Sequence, residues 1–91
     1  MKLVAGLGNP GKEYSWTPHN VGFHFLDFLV EHLDITSFQS KFNSKICSKL
    51  IGGESCLFIK PHTYMNKSGE SVAEFVNFYK IPLEKIVIIS D

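Results

Sequence analysis

Gly6-Leu7-Gly8-Asn9-Pro10-Gly11-Lys12-Glu13-Tyr14-Ser15-Trp16-Thr17-Pro18-His19-Asn20 separates an apolar run, Leu3-Val4-Ala5, from an amphipathic one over residues 21–33. The first run predicts a β-strand over residues 2–8 and the second a helix over 21–33. Within that helix Gly22, Leu26, Leu29 and Leu33 recur near the 3.6-residue period, with Phe25 and Phe28 alongside, so a broad buried stripe is expected. Pro18 just ahead of the helix and Asn20 as its N-cap fit a start at this point. Connectors between a strand and a helix usually take about 2–6 residues, and this one is far longer. Long ordered loops over the carboxyl end of a strand are where α/β proteins keep their chemistry. A His, two Asn, a Tyr and a Trp make this loop the first place to look for a site.

Downstream, residues 34–43 are polar, with Phe38 and Phe42 as isolated anchors. Residues 44–51 and 55–60 are strand-like runs on either side of Gly52-Gly53, which predicts a hairpin by turn chemistry. Its register would set Ile51 opposite Glu54, Cys47 opposite Phe58 and Lys49 opposite Cys56. Residues 61–69, Pro-His-Thr-Tyr-Met-Asn-Lys-Ser-Gly, form a second polar loop between a strand and a helix. Val72, Phe75, Val76 and Tyr79 then fall on one face of a helix that Ile81-Pro82 stops. Residues 85–90 are almost continuously apolar, as in a central strand buried on both faces, and Asp91 follows.

The order β-α-β-β-α-β predicts an α/β sandwich with a mostly parallel sheet and one hairpin. If the three strands that precede the polar stretches are parallel neighbours, those stretches converge on one crevice at their carboxyl ends.

The 91 residues suit one small domain, residues 1–91, near the lower limit for a self-sufficient core. Nine Lys, with no Arg, balance nine acidic residues, so a nucleic acid would have to be gripped by a local Lys patch and not by bulk charge. No apolar run approaches the ~18 residues of a membrane span, and the N-terminus runs into a strand without a signal-peptide layout. In the predicted register Cys47 and Cys56 are diagonal and badly placed for a disulfide, which fits reduced thiols in a cytoplasmic protein. Neither has a second Cys or His at ligand spacing, so no metal is expected.

Gly6-x-Gly8-x-x-Gly11 matches the dinucleotide-binding pattern, but that mechanism needs the third glycine inside a helix. Here Asn9-Pro10-Gly11 reads as a tight turn and the helix starts near Asn20, so the match is set aside. His19, close ahead of the helix, has the intrinsic basicity to take a proton from water at neutral pH. Asp91, at the tip of another strand, could hold the imidazole tautomer. Asn9 and Asn66 offer amide groups to a substrate carbonyl. Each also has a plain alternative: a loop His often caps or faces solvent, and an Asp after a strand often caps a helix. Tyr14, Trp16, Tyr64 and Met65 either stack on bases or cover the sheet edge. Lys12 and Lys67 either meet phosphates or face solvent. His24, His32 and His62 read as structural or solvated.

Taken together these residues resemble the bacterial-type peptidyl-tRNA hydrolase family. Gly6, Leu7, Asn9, Pro10, Gly11, Tyr14, Thr17, His19 and Asn20 fit its first motif, Thr63-Tyr64-Met65-Asn66-Lys67-Ser68-Gly69 its second, and the strand ending in Asp91 its third. The resemblance runs in order over all 91 residues. It implies a three-layer α/β/α sandwich with a mixed, mostly parallel twisted sheet, monomeric in the whole protein. It implies hydrolysis of the ester between a peptide and the 3′ end of tRNA, with tRNA as partner and no metal or cofactor. By the same resemblance His19 is the general base on water, Asp91 supports it, and Asn9 senses the peptide carbonyl. Asn66, Tyr14 and Tyr64 bind substrate, and Met65 lines the pocket.

Two departures stand out. Pro18 replaces a common Arg, and the chain has about half the family's length, so it reads as the N-terminal half of the fold, with an apolar strand left at the sheet edge. Such a fragment could be idle and self-associate, or pair with its missing half, through that strand. A mononucleotide-binding half-domain is the third reading.

Overall fold

Alternating apolar residues and turn glycines build a three-layer unit in the computed structural model, which describes residues 1–8, 21–35, 38–62 and 65–89, the side chains of 21 and 65–68 excepted. The elements are β1 (Lys2–Gly6), α1 (Val21–His32), β2 (Gln39–Lys41), β3 (Ser44–Ile51), β4 (Glu54–Pro61), α2 (Met65–Tyr79), a single 3-10 turn (Leu83–Lys85) and β5 (Ile86–Ile89). One sheet holds all five strands in the order β2-β3-β4-β1-β5. The β4, β1 and β5 strands are parallel, and β3 is antiparallel to both β2 and β4, so four of the five point one way. The α/β/α sandwich on a mixed, mostly parallel sheet is therefore present.

Successive residues of β4 feed opposite faces, which is why the strand reads as an unbroken apolar run. Leu57 and Ile59 join Leu3, Ala5, Ile46 and Phe75 beneath α2. Cys56 and Phe58 join Cys47, Leu26 and Val30 beneath α1. Val72, Val76 and Tyr79 pack beside Phe75 as the spacing predicts.

The β3–β4 register is the expected one: Ile51↔Glu54, Cys47↔Phe58 and Lys49↔Cys56. Gly52 and Gly53 turn it at φ of 59° and 81°, where a side chain would strain the backbone. Both cysteines are free and buried, and burial pushes the Cys47 thiol up to about 11. Neither thiol is therefore expected to react with an alkylating reagent at pH 8 until denaturant is added. The unfolded thiol ionises first, so stability falls as pH rises from about 9 to about 11. Rapid native-state labelling of Cys47 would contradict this packing.

Four expectations change. An additional strand, β2, lies in the stretch read as polar connector, so the order is β-α-β-β-β-α-β. Its turn uses Phe42 and Asn43 at φ of 49° and 57°. Phenylalanine is a poor choice there, and its ring holds the turn by edge-on packing on Phe75 at 5.0 Å and Phe78 at 5.5 Å. Second, the buried stripe of α1 runs through Gly22, Phe23, Leu26 and Val30. At about 100° per residue Phe25 and Phe28 fall on its far side, and Phe28 is 67% exposed. Third, α2 begins at Met65, so residues 65–69 are helix and not loop. Fourth, β5 is not buried on both faces as its apolar run suggests: it is last in the sheet, the edge position that the half-length reading gives it, with Val87 47% and Ile88 45% exposed.

Candidate active site

The carboxyl ends of β4, β1 and β5 lie side by side. Ala5 is level with Ile59 on one flank and Ile88 on the other, and Gly6 is level with Ile89. The Leu7 N–H donates to the Ile89 carbonyl at 2.9 Å, carrying the β1–β5 pairing past the strand. Both helices begin at this edge, α2 after β4 and α1 against β1 and β5.

Two glycines permit the second approach. A Cβ on Gly6 would stand 2.5 Å from the Gly22 carbonyl oxygen and 2.8 Å from Leu26 Cβ. A Cβ on Gly22 would lie 2.5 Å from the Leu7 nitrogen and nearer still to the carbonyl oxygens of Leu7 and Ile89. The first turn of α1 therefore rests directly on the ends of β1 and β5. Gly6 serves this contact, which accounts for its place in the dinucleotide-like pattern.

The edge has a positive bias. The α1 and α2 N-termini carry the positive ends of their macrodipoles, which favour an anionic group or a developing oxyanion. His62 follows β4, donates its N–H to the Asn43 carbonyl at 2.8 Å, and stacks on Phe23 at 6.4 Å between ring centres. Desolvation, then the charges of Lys45 and Lys60, hold its imidazole below the ordinary histidine range. Lys60 donates to both carboxylate oxygens of Asp27 on α1 at 2.9 Å. Among the described residues no group of three or more His, Cys, Asp or Glu could hold a metal, and no helix is long and apolar enough to cross a membrane.

A sequence profile described as Peptidyl-tRNA hydrolase matches residues 3–91. The chain belongs to the peptidyl-tRNA hydrolase family.

Relatives named peptidyl-tRNA hydrolase include that of Bdellovibrio bacteriovorus, 48% identical over 91 residues, covering the whole chain and 49% of the relative. That of Fusobacterium nucleatum is 48% identical over 92 residues, again covering the whole chain and 48% of the relative. A crystal structure of the Acinetobacter baumannii peptidyl-tRNA hydrolase superposes with a TM-score of 0.91 at 39% identity, covering the whole chain and 47% of that structure. The chain thus spans about half the length of the curated relatives it matches.

Of the residues singled out from sequence, Asn9, Tyr14, His19, Tyr64 and Asp91 lie outside the described residues, as do Lys12, Trp16, Pro18 and Asn20. Met65 and Asn66 open α2, so their backbone is at this edge. The described neighbours of the others in the chain, Gly8, Val21, His62 and Ile89, bound the same edge. Sequence reasoning missed Gly22 as a positioning residue, reading it merely as one apolar-stripe position. The signal available was a glycine in the first turn of a helix, following a strand that itself ends in glycine.

Proposed function

We propose that residues 1–91 form one domain, the N-terminal half of a peptidyl-tRNA hydrolase fold, acting in the cytoplasm on the ester joining a peptide or N-blocked amino acid to the 3′ end of tRNA. His19 takes a proton from water as the water oxygen attacks the ester carbonyl. The C–O bond to the tRNA 3′ oxygen then breaks, and that oxygen leaves with the proton returned by His19. Asp91 holds the imidazole in the accepting tautomer. Asn9 meets the peptide carbonyl and so separates blocked from free aminoacyl-tRNA. Asn66, Tyr14 and Tyr64 bind substrate and Met65 lines the pocket; the reaction needs only these side chains and water.

The observation that carries the reading is the seat of Gly22 on the ends of β1 and β5. His19 is three residues ahead of Gly22 and Asp91 two beyond Ile89. At no more than ~3.6 Å per residue, the chain between each of them and that contact is short enough for the proposed pair to be assembled beside it. Family membership and the TM-score of 0.91 support it further.

The exposed β5 edge favours a second reading, a catalytically idle piece that self-associates or pairs with a complementary half there. One experiment separates the two. Release of amino acid from N-acetyl-aminoacyl-tRNA and from unblocked aminoacyl-tRNA is measured, with solution mass by light scattering alongside. Cleavage of the blocked ester alone is the expected result. Oligomers without turnover would favour the second reading. No release by a folded chain, even with the second half of a relative added, would overturn the hydrolase reading.

A further inference from the structure

Beside the proposed reaction centre, on the α1 side of the sheet, lies a cavity of about 210 Å³ lined by Ser40, Asn43, Ser44, Lys45 and His62. It is formed where the β2–β3 turn meets the residue that follows β4, through the bond from His62 to the Asn43 carbonyl. Its lining supplies hydroxyl, amide, imidazole and ammonium groups, and among the described residues no carboxylate. The nearby acid, Asp27, is taken up by Lys60. Lys45, one register step from the turn and level with Lys60, has no hydrogen-bond or ion-pair partner among the described residues. Ser44 is turned the other way, hydrogen-bonded at 2.7 Å to Ser71, which donates to the Phe42 carbonyl, and this fixes the turn.

A site that, among the described residues, has a free cation, several donors and no competing acid is built for an anion. The preset backbone of the turn lowers the ordering cost of binding one. It opens at the same sheet edge as the proposed centre, on the β4 side, so a strand that reaches the ends of β1 and β5 from that side passes it. Resting on the hydrolase reading for the identity of that strand, the geometry points to this cavity as a seat for a backbone phosphate of single-stranded RNA. Lys45 supplies the charge, and Ser40, Asn43 and His62 supply hydrogen bonds. The 91 residues have a net charge of zero, so a grip on RNA within them is local.

The test is binding of a fluorescent oligoribonucleotide ending in CCA to the chain, across a range of salt, with inorganic phosphate as a separate probe. Lys45→Ala is expected to weaken binding about threefold to tenfold and to flatten the log–log salt slope by about 0.7, as one lost phosphate contact on a single strand does. Lys45→Arg should keep most of the affinity. Lys2→Ala, at the opposite end of β1, should change nothing. Lys45 is exposed, so its loss leaves the fold intact, to be checked by circular dichroism. Unchanged affinity and slope in Lys45→Ala would overturn the proposal, as would a chain that does not bind the oligonucleotide. Lys45-dependent binding of phosphate without the oligonucleotide would overturn the RNA assignment. Lys45-dependent RNA binding in a chain that hydrolyses nothing would uphold the cavity and count against the hydrolase reading alone.

Discussion

His19→Ala is expected to lower release of the blocked amino acid by about 10²–10⁴-fold, the usual contribution of a positioned general base. Its KM should change little, because in the proposed reaction the imidazole acts on water and not on the bound ester. In the unsubstituted chain the rate should fall as pH is lowered, since only the neutral imidazole accepts a proton. Asp91→Asn should give a smaller loss with the same sign, as expected of a group that acts through the imidazole. A merely structural His19 would lower the melting temperature and leave this pH profile in place. Full activity in a folded His19→Ala chain would remove His19 from the reaction.

Gly22→Ala should be the most damaging single methyl in the described part of the chain. Its Cβ meets backbone atoms of Leu7 and Ile89, which cannot swing aside as a side-chain tip can. The helix must lift off two strands, at a cost at or above the upper end of overpacking, about 3 kcal/mol. In a domain of this size that is a fall in melting temperature of about 12–24 °C. Gly69→Ala provides the contrast. It is an exposed helical position with nothing within 4 Å of a Cβ, so alanine should stabilise by about 0.5–1 kcal/mol through backbone entropy. A Gly22→Ala chain melting like its parent would show that α1 does not rest on these strands. Because α1 leads back to His19, a partly folded Gly22→Ala chain should also lose activity out of proportion to its unfolded fraction.

Local chemistry made much of this molecule readable. Gly52-Gly53 announced a hairpin and its register because two adjacent positive φ angles are a glycine specialty. The apolar positions of α2 announced its buried face because their 3.6-residue period is independent of what they pack against. The motifs around His19 and Asn66 announced the family, through residue types that a fold alone does not require.

What escaped depended on contacts distant in sequence. The β2 strand is short and turns at Phe42, so its existence rests on Phe75 and Phe78 gripping that ring. The orientation of α1 hangs on one glycine meeting Leu7 and Ile89, and that contact left Phe25 and Phe28 outside. An apolar run looks the same in a central strand and at an edge, so the run alone did not place β5; the resemblance to a fold twice as long did, and the sheet order agrees. The sequence by itself thus determined the class, the hairpin register, the faces of α2 and the family. The tertiary structure alone decided strand order, the seat of α1 and the gathering of three strand ends at one edge, because those follow from close packing between segments that carry no local signal of each other.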